Sequence, residues 1–129
     1  MMTTEQLITA AWSVRDHAYA PYSKFHVGAA ILTKSGRIFT GCNVENLSFG
    51  LTICAERVAI GSMIAAGESE IERVVVVADT DQPISPCGAC RQVMAEFGDF
   101  PVLLTSRRAQ ESFQLSELLP RASTGILNR

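Results

Sequence analysis

Residues 71–79 read "IERVVVVAD". Four consecutive valines break the two-residue alternation of a half-exposed strand, so the segment is expected to be a strand covered on both faces, with neighbours on each side and helices above and below. Later in the chain, "PVLLTS" (101–106) reads as a further short buried strand. "HVGAAILT" and "RIFTGCNV", joined at Ser35 and Gly36, read as a hairpin over roughly residues 27 to 44. Helical spacing fills the gaps. "TTEQ" offers Thr3 as an N-cap with Gln6 three places on, and Leu7, Ala11, Val14 and Ala18 share one face, which predicts a helix over 3–19. From about Thr52, "TICAERVAIGSMIAA" is apolar all round, as a centrally buried helix would be, and Gly67 is placed to stop it. "CGACRQVMAEFG" predicts a third helix with Val93, Met94 and Phe97 on one face and Gly98 at its end, and a weak last helix lies near "SELLP". The order helix, strand, strand, helix, strand, helix, strand describes an α/β fold, a three-layer α-β-α sandwich around a mixed sheet. No linker, repeat or low-complexity tract divides the chain, so one domain over 1–129 is expected.

A chain of 129 residues can bury a proper core without disulfides. Hydrophobic residues make up 47% of it, and 11 basic against 13 acidic residues leave a net charge of −2. With two lysines and no basic run longer than Arg107 and Arg108, it lacks the footprint of a nucleic-acid surface, and a small substrate fits better. "MMTTEQLITAAW" has neither the positive start nor the continuous apolar stretch of a signal peptide, and no segment approaches the ~20 apolar residues that span a bilayer. A cytoplasmic protein without a membrane partner is expected. There, four cysteines read as metal or catalytic thiols before they read as disulfides.

Two segments carry the chemistry. "LTICAERVAI" (51–60) sets Cys54, Glu56 and Arg57 into an apolar run, and burying unpartnered charge costs several kcal/mol, so such a group is usually paired, metal-bound or catalytic. "PCGAC" holds Cys87 and Cys90 as a C-x-x-C at the start of a helix, whose N-terminus favours thiolates. If the two helix starts meet over the sheet, three thiolates converge, and zinc is the metal that sulfur-rich tetrahedral sites usually hold. Cys42 could close a four-cysteine structural site, or a water could keep the fourth position open for catalysis; a redox C-x-x-C is the third reading. Local sequence favours the water. Cys42 ends a strand without the short ligand spacing of zinc ribbons, and a structural site has no use for Glu56.

"CAER" followed 33 residues later by "PCGACRQ" resembles the zinc deaminase signature in which C-x-E precedes P-C-x-x-C. With "YAPYSKFHVGAAI", "GCNVENLSFGLTICAER" and "VADTDQPISPCGACRQVMAEF", the chain is similar to the small homotetrameric cytidine deaminases over roughly residues 19 to 97. The resemblance implies one Zn²⁺ per chain on Cys54, Cys87 and Cys90, with the attacking water as fourth ligand and Glu56 as the proton carrier. It implies that Arg57 hydrogen-bonds ligand sulfur, that Asn43 and Glu45 hold the ribose, that Phe25 stacks on the pyrimidine, and that backbone around Ala55 and Ser85 meets the base edge. The activity implied is deamination of cytidine and 2'-deoxycytidine in pyrimidine salvage, by a homotetramer whose sites are completed by neighbouring chains. His17 and His26 are expected to be structural or solvated, and Trp12 to serve in helix packing.

The match departs at two places. Family members usually end "LLPxAF", the phenylalanine covering the base in a neighbouring subunit, whereas this chain has "LLPRASTGILNR" with Ser123 at that position. Phe49 stands in place of the commoner tyrosine. A more open pocket and tolerance of N4-substituted cytidines are therefore expected. The alternatives are a blasticidin S-type aminonucleoside deaminase and a non-catalytic structural-zinc module.

Overall fold

A computed structural model describes residues 2–122. Its elements are α1 (Thr4–Arg15), β1 (Val27–Thr33), β2 (Ile38–Cys42), a short 3₁₀ turn (Phe49–Leu51), α2 (Ala55–Ala65), β3 (Ile71–Ala78), α3 (Gly88–Ala95), β4 (Pro101–Thr105), β5 (Gln110–Gln114) and α4 (Leu115–Leu118). The five strands form one sheet in the order β2-β1-β3-β4-β5. β3 and β4 are parallel and the other pairs antiparallel, so the sheet is mixed.

The valine run does what its composition requires. Val74 and Val76 point into a core formed with Ala55, Ala59, Met63 and Met94 of α2 and α3, whereas Val75 and Val77 pack with Leu7, Ile8 and Ala11 of α1. All four are at most 1% exposed, and each contributes on the order of 2 kcal/mol by leaving water. Three layers result, with α1 on one side of the sheet and α2 and α3 on the other.

Two glycines set how near the helices come. A Cβ at Gly28 of β1 would stand 2.1 Å from the Ala11 carbonyl oxygen, and one at Gly41 of β2 would stand 2.3 Å from the Ala59 nitrogen and 2.5 Å from the Ala55 oxygen. Only glycine admits backbone this close. Gly41 thereby seats the first turns of α2 against the strand that leads to Asn43.

The elements differ from the sequence expectation in four respects. α1 carries the anticipated capping box of Thr3 and Gln6 but ends at Arg15 rather than 19, because Tyr19 pairs its backbone with Asn43 and Glu45 instead of continuing the helix. α2 begins at Ala55, since Ile53 is drawn into extended pairing with Val44, both hydrogen bonds 2.9 Å long. Nor is α2 buried all round: Gly61, Ser62, Ile64 and Ala65 lie exposed on the chain's surface. Lastly, β5 was not foreseen. Its residues "QESFQ" are mostly polar and solvent-facing, as an edge strand tolerates, so no apolar alternation marks it. Gly67 ends α2 as expected, with φ of 88° and the Glu68 amide returning to the Met63 carbonyl. No helix among the described residues is long and apolar enough to cross a membrane.

Candidate active site

The site forms where α2 and α3 begin on the same side of the sheet. Cys54 is the N-cap of α2 and Cys87 the N-cap of α3, with Cys90 in the first turn. A C-x-x-C started at an N-cap brings both sulfurs to one face, and the Cys87 sulfur accepts the Cys90 amide at 3.4 Å. The Cys54 and Cys87 sulfurs are 3.8 Å apart, those of Cys87 and Cys90 3.3 Å, and all three lie within 4.8 Å of one another. Ligands about 2.3 Å from a tetrahedral zinc lie about 3.8 Å from each other, so this sulfur triangle fits one such ion with little adjustment. Among the described residues, Cys54, Cys87 and Cys90 are the cluster able to hold a metal. Cys42 is not part of it, and the four-cysteine structural reading thereby loses its fourth sulfur. Burial pushes the Cys42 thiol above its ordinary value.

Charge at the triangle is strongly biased. The Cys54 thiol is drawn down to about 5, first by the hydrogen bond from Cys90, with burial opposing and Arg57 and Cys87 assisting. Cys90 is pushed up, because it donates to Cys54 and is buried. Arg57 donates from Nη2 to the Cys54 sulfur at 3.4 Å, and the thiols of Cys54 and Cys90 hold its guanidinium above the ordinary range. The guanidinium therefore lies inward, not out in solvent. Glu56 follows Ala55, which is fully buried at the helix start, and is itself only 4% exposed. Burial, joined by the charge of Cys54, raises its carboxyl to about 7, while its own backbone N–H and Arg57 pull the other way. A carboxyl poised near neutrality can both take and return a proton.

Asn43 and Glu45 follow β2, and each binds the segment before β1. The Asn43 amide accepts from the Val27 N–H at 2.9 Å and donates to the Phe25 carbonyl at 2.8 Å. The Glu45 carboxylate accepts the N–H groups of Tyr22 and Ser23 at 3.0 and 3.1 Å and the Ser23 hydroxyl. These are long-range clamps, not a local Asx turn. Phe25 is 41% exposed, so it is not a core residue. Ser85 is exposed in the loop before Cys87. Phe49 is largely exposed and meets Tyr22 edge-on, ring centroids 5.8 Å apart. Ser123 lies outside the described residues. The guanidinium groups of Arg15 and Arg107 lie over the ring of Trp12 in α1, 5.7 and 4.0 Å from its centroid.

Sequence reasoning missed two residues that brace this region. One is Ser23. The other is Arg91, which donates through Nε to the Pro86 carbonyl and through Nη1 to the Leu118 carbonyl, both at 2.8 Å, tying the peptide before Cys87 to the end of α4. An arginine directly after the C-x-x-C was the available signal; Ser23, in a polar turn, offered none.

Comparison with known proteins agrees with the geometry. Residues 1–105 match the family model described as the cytidine and deoxycytidylate deaminase zinc-binding region. The cytidine deaminase of Sporosarcina psychrophila is 48% identical over 124 residues, covering 94% of this chain and 91% of that protein. The crystal structure of cytidine deaminase from Burkholderia pseudomallei superposes with a TM-score of 0.91 at 49% identity, over 95% of this chain and 100% of that one. A blasticidin-S deaminase of Bacillus cereus is more distant, 35% identical over 76% of each chain. With its sulfur triangle, buried carboxyl and near-complete overlap with these relatives, the chain belongs to the zinc-binding cytidine and deoxycytidylate deaminase family.

Proposed function

We propose that this chain hydrolyses cytidine and 2'-deoxycytidine to the corresponding uridines and ammonia in pyrimidine salvage, in the cytoplasm. The observation that carries the reading is the convergence of Cys54, Cys87 and Cys90 with Glu56 buried beside them. Zinc held by the three sulfurs supplies the Lewis acidity that makes a water nucleophilic at neutral pH. Glu56 takes a proton from the attacking water, delivers one to ring N3 and later gives one to the departing amine. Arg57 offsets the charge of three thiolates through its hydrogen bond to Cys54, the supporting role usual around metal ligands. Asn43 and Glu45 hold a sugar hydroxyl, Phe25 stacks on the base, and backbone at Ala55 meets its edge.

A homotetramer is part of this proposal. Leu47, Phe49 and Leu51 are 78, 71 and 66% exposed in the loop leading into Cys54, and apolar exposure of this kind marks a surface that another copy covers. Light scattering at micromolar concentration is expected to give four chains per particle.

The test is the fall of ultraviolet absorbance as zinc-loaded protein acts on cytidine, with Glu56→Gln in parallel. Turnover by the wild type and its loss in a variant that keeps one zinc per chain is the expected result. Blasticidin S and N4-methylcytidine belong in the same assay, the first because of the Bacillus cereus relative, the second because Ser123 stands where the family has an aromatic lid. Turnover of blasticidin S but not of cytidine would transfer the assignment.

A further inference from the structure

Ser23 sits between two residues assigned to substrate without any assigned role of its own. Its hydroxyl donates to Oε2 of Glu45 and accepts the Phe25 N–H at 3.0 Å. Its backbone N–H, with that of Tyr22, occupies Oε1 of the same carboxylate. Lys24 between them adopts φ of 61°, the left-handed region that a lysine enters only when its surroundings hold it there. At the far end of the segment, Asn43 fixes the Phe25 carbonyl and the Val27 N–H. Residues 22–27 are thus pinned at one end by Glu45 and at the other by Asn43, with Ser23 joining the carboxylate directly to the backbone that carries the aromatic ring.

The hydrogen-bonding capacity left in this arrangement has a chemical meaning. A carboxylate has about four acceptor positions and an amide side chain about four positions in all. Glu45 has filled three with Tyr22 and Ser23, leaving one acceptor position on Oε2; Asn43 has filled two, leaving one N–H and one acceptor position. Of these, the Glu45 acceptor position and the Asn43 N–H are together the complement of a single hydroxyl group, which gives one hydrogen bond and receives another. A carboxylate this fully engaged also stays ionised: hydrogen bonds led by that of Ser23 hold Glu45 below the ordinary carboxylate range.

We propose that Ser23 is a positioning residue for substrate selection, orienting Glu45 so that one oxygen position faces a sugar hydroxyl and tying that carboxylate to the placement of Phe25. The inference rests on the proposed role of Asn43 and Glu45 in holding the sugar. Without the Ser23 hydroxyl, the carboxylate is free to turn and the discrimination for a hydroxylated sugar falls.

The experiment compares cytidine with 3'-deoxycytidine on zinc-loaded wild type, Ser23→Ala and Ser23→Thr, with melting temperatures alongside. Loss of one hydrogen bond to a charged group predicts kcat/KM for cytidine about tenfold lower in Ser23→Ala. The loss should lie in KM with kcat held within about twofold, since binding and not chemistry is affected. Turnover of 3'-deoxycytidine should stay nearly constant, and Ser23→Thr should restore selectivity by keeping the hydroxyl. Equal losses on both substrates, or none on either, would overturn the proposal, because a merely structural serine has no reason to distinguish them. Should Ser23→Ala fail to fold, Ser23→Cys keeps the size with a weak donor and must show the same selective loss. A wild type that turns over cytidine but ignores the missing 3'-hydroxyl would defeat the sugar assignment, and a wild type inactive on cytidine would defeat the function itself; this inference falls in either case.

Discussion

The start of α1 and the starts of α2 and α3 solve the same geometric problem with different chemistry. Each must satisfy backbone N–H groups that have no partner in the first turn. At α1, Thr3 and Gln6 do so reciprocally, with hydrogen bonds of 2.8 and 3.1 Å. At α2, Cys54 makes no side-chain cap at all, and at α3 the Cys87 sulfur accepts a single long bond. Sulfur is a poor cap, and a serine or aspartate at either place would stabilise the helix by about 1 kcal/mol. The molecule forgoes that stability where the unfilled N–H groups and helix dipoles favour thiolates, and takes it where no chemistry occurs.

Substitutions can break this contrast. The largest effect is expected from Cys54→Ser or Cys87→Ser: zinc, read by metal analysis, and turnover are both lost, while the metal-free variant melts no lower than metal-free wild type because serine caps better than cysteine. A clear fall in the melting temperature of the metal-free variant would mean that the sulfurs hold the fold and not only the metal. Next, Glu56→Gln should lower kcat by about 10³-fold, the scale of general acid-base catalysis, with zinc retained.

Glu56 also predicts a pH dependence. Its carboxyl is raised from 4.5 to about 7 in the folded chain, so the folded state holds the proton more tightly than the unfolded one, and stability present below pH 4.5 is lost as pH rises toward 7. In metal-free protein, Glu56→Gln should therefore gain roughly 3 kcal/mol over wild type above pH 7 and nothing near pH 4, measured by urea titration at both values. Arg57→Ala sharpens the contrast on the metal side, with kcat down about tenfold in fully metallated protein. Thr3→Ala is the smallest, costing about 1 kcal/mol of stability with kcat/KM unchanged.

Much of this is legible in the sequence. The valine run announced its two covered faces, because only a doubly buried strand can afford four such residues in succession. Thr3 and Gln6 announced their capping box, Cys87 and Cys90 announced a metal or redox site through their spacing, and the resemblance to the deaminase signature joined Cys54 to them. What was hidden depended on partners distant in sequence. β5 could not be read from "QESFQ", since an edge strand owes its existence to β4 and not to its own pattern. The early end of α1 follows from the pull of Asn43 and Glu45 on Tyr19. Ser23 was invisible for the same reason: its meaning comes from a carboxylate 22 residues away.

The valines that open both faces of the sheet also leave the register of β3 loosely specified from within. A strand normally locks its pairing because a slip by one residue sends apolar side chains into water, yet here a slip along Val74–Val77 exchanges valine for valine. The penalty falls on the ends. A slip in one direction would carry Arg73, whose Nη1 donates to Thr4 of α1 at 2.7 Å, into the place of Val74 in the α2 and α3 core, and a slip in the other would set Ala78 in the place of Val77 against α1. One arginine and one alanine thus act as the index marks of the central strand, and errors in folding should collect wherever those marks are erased.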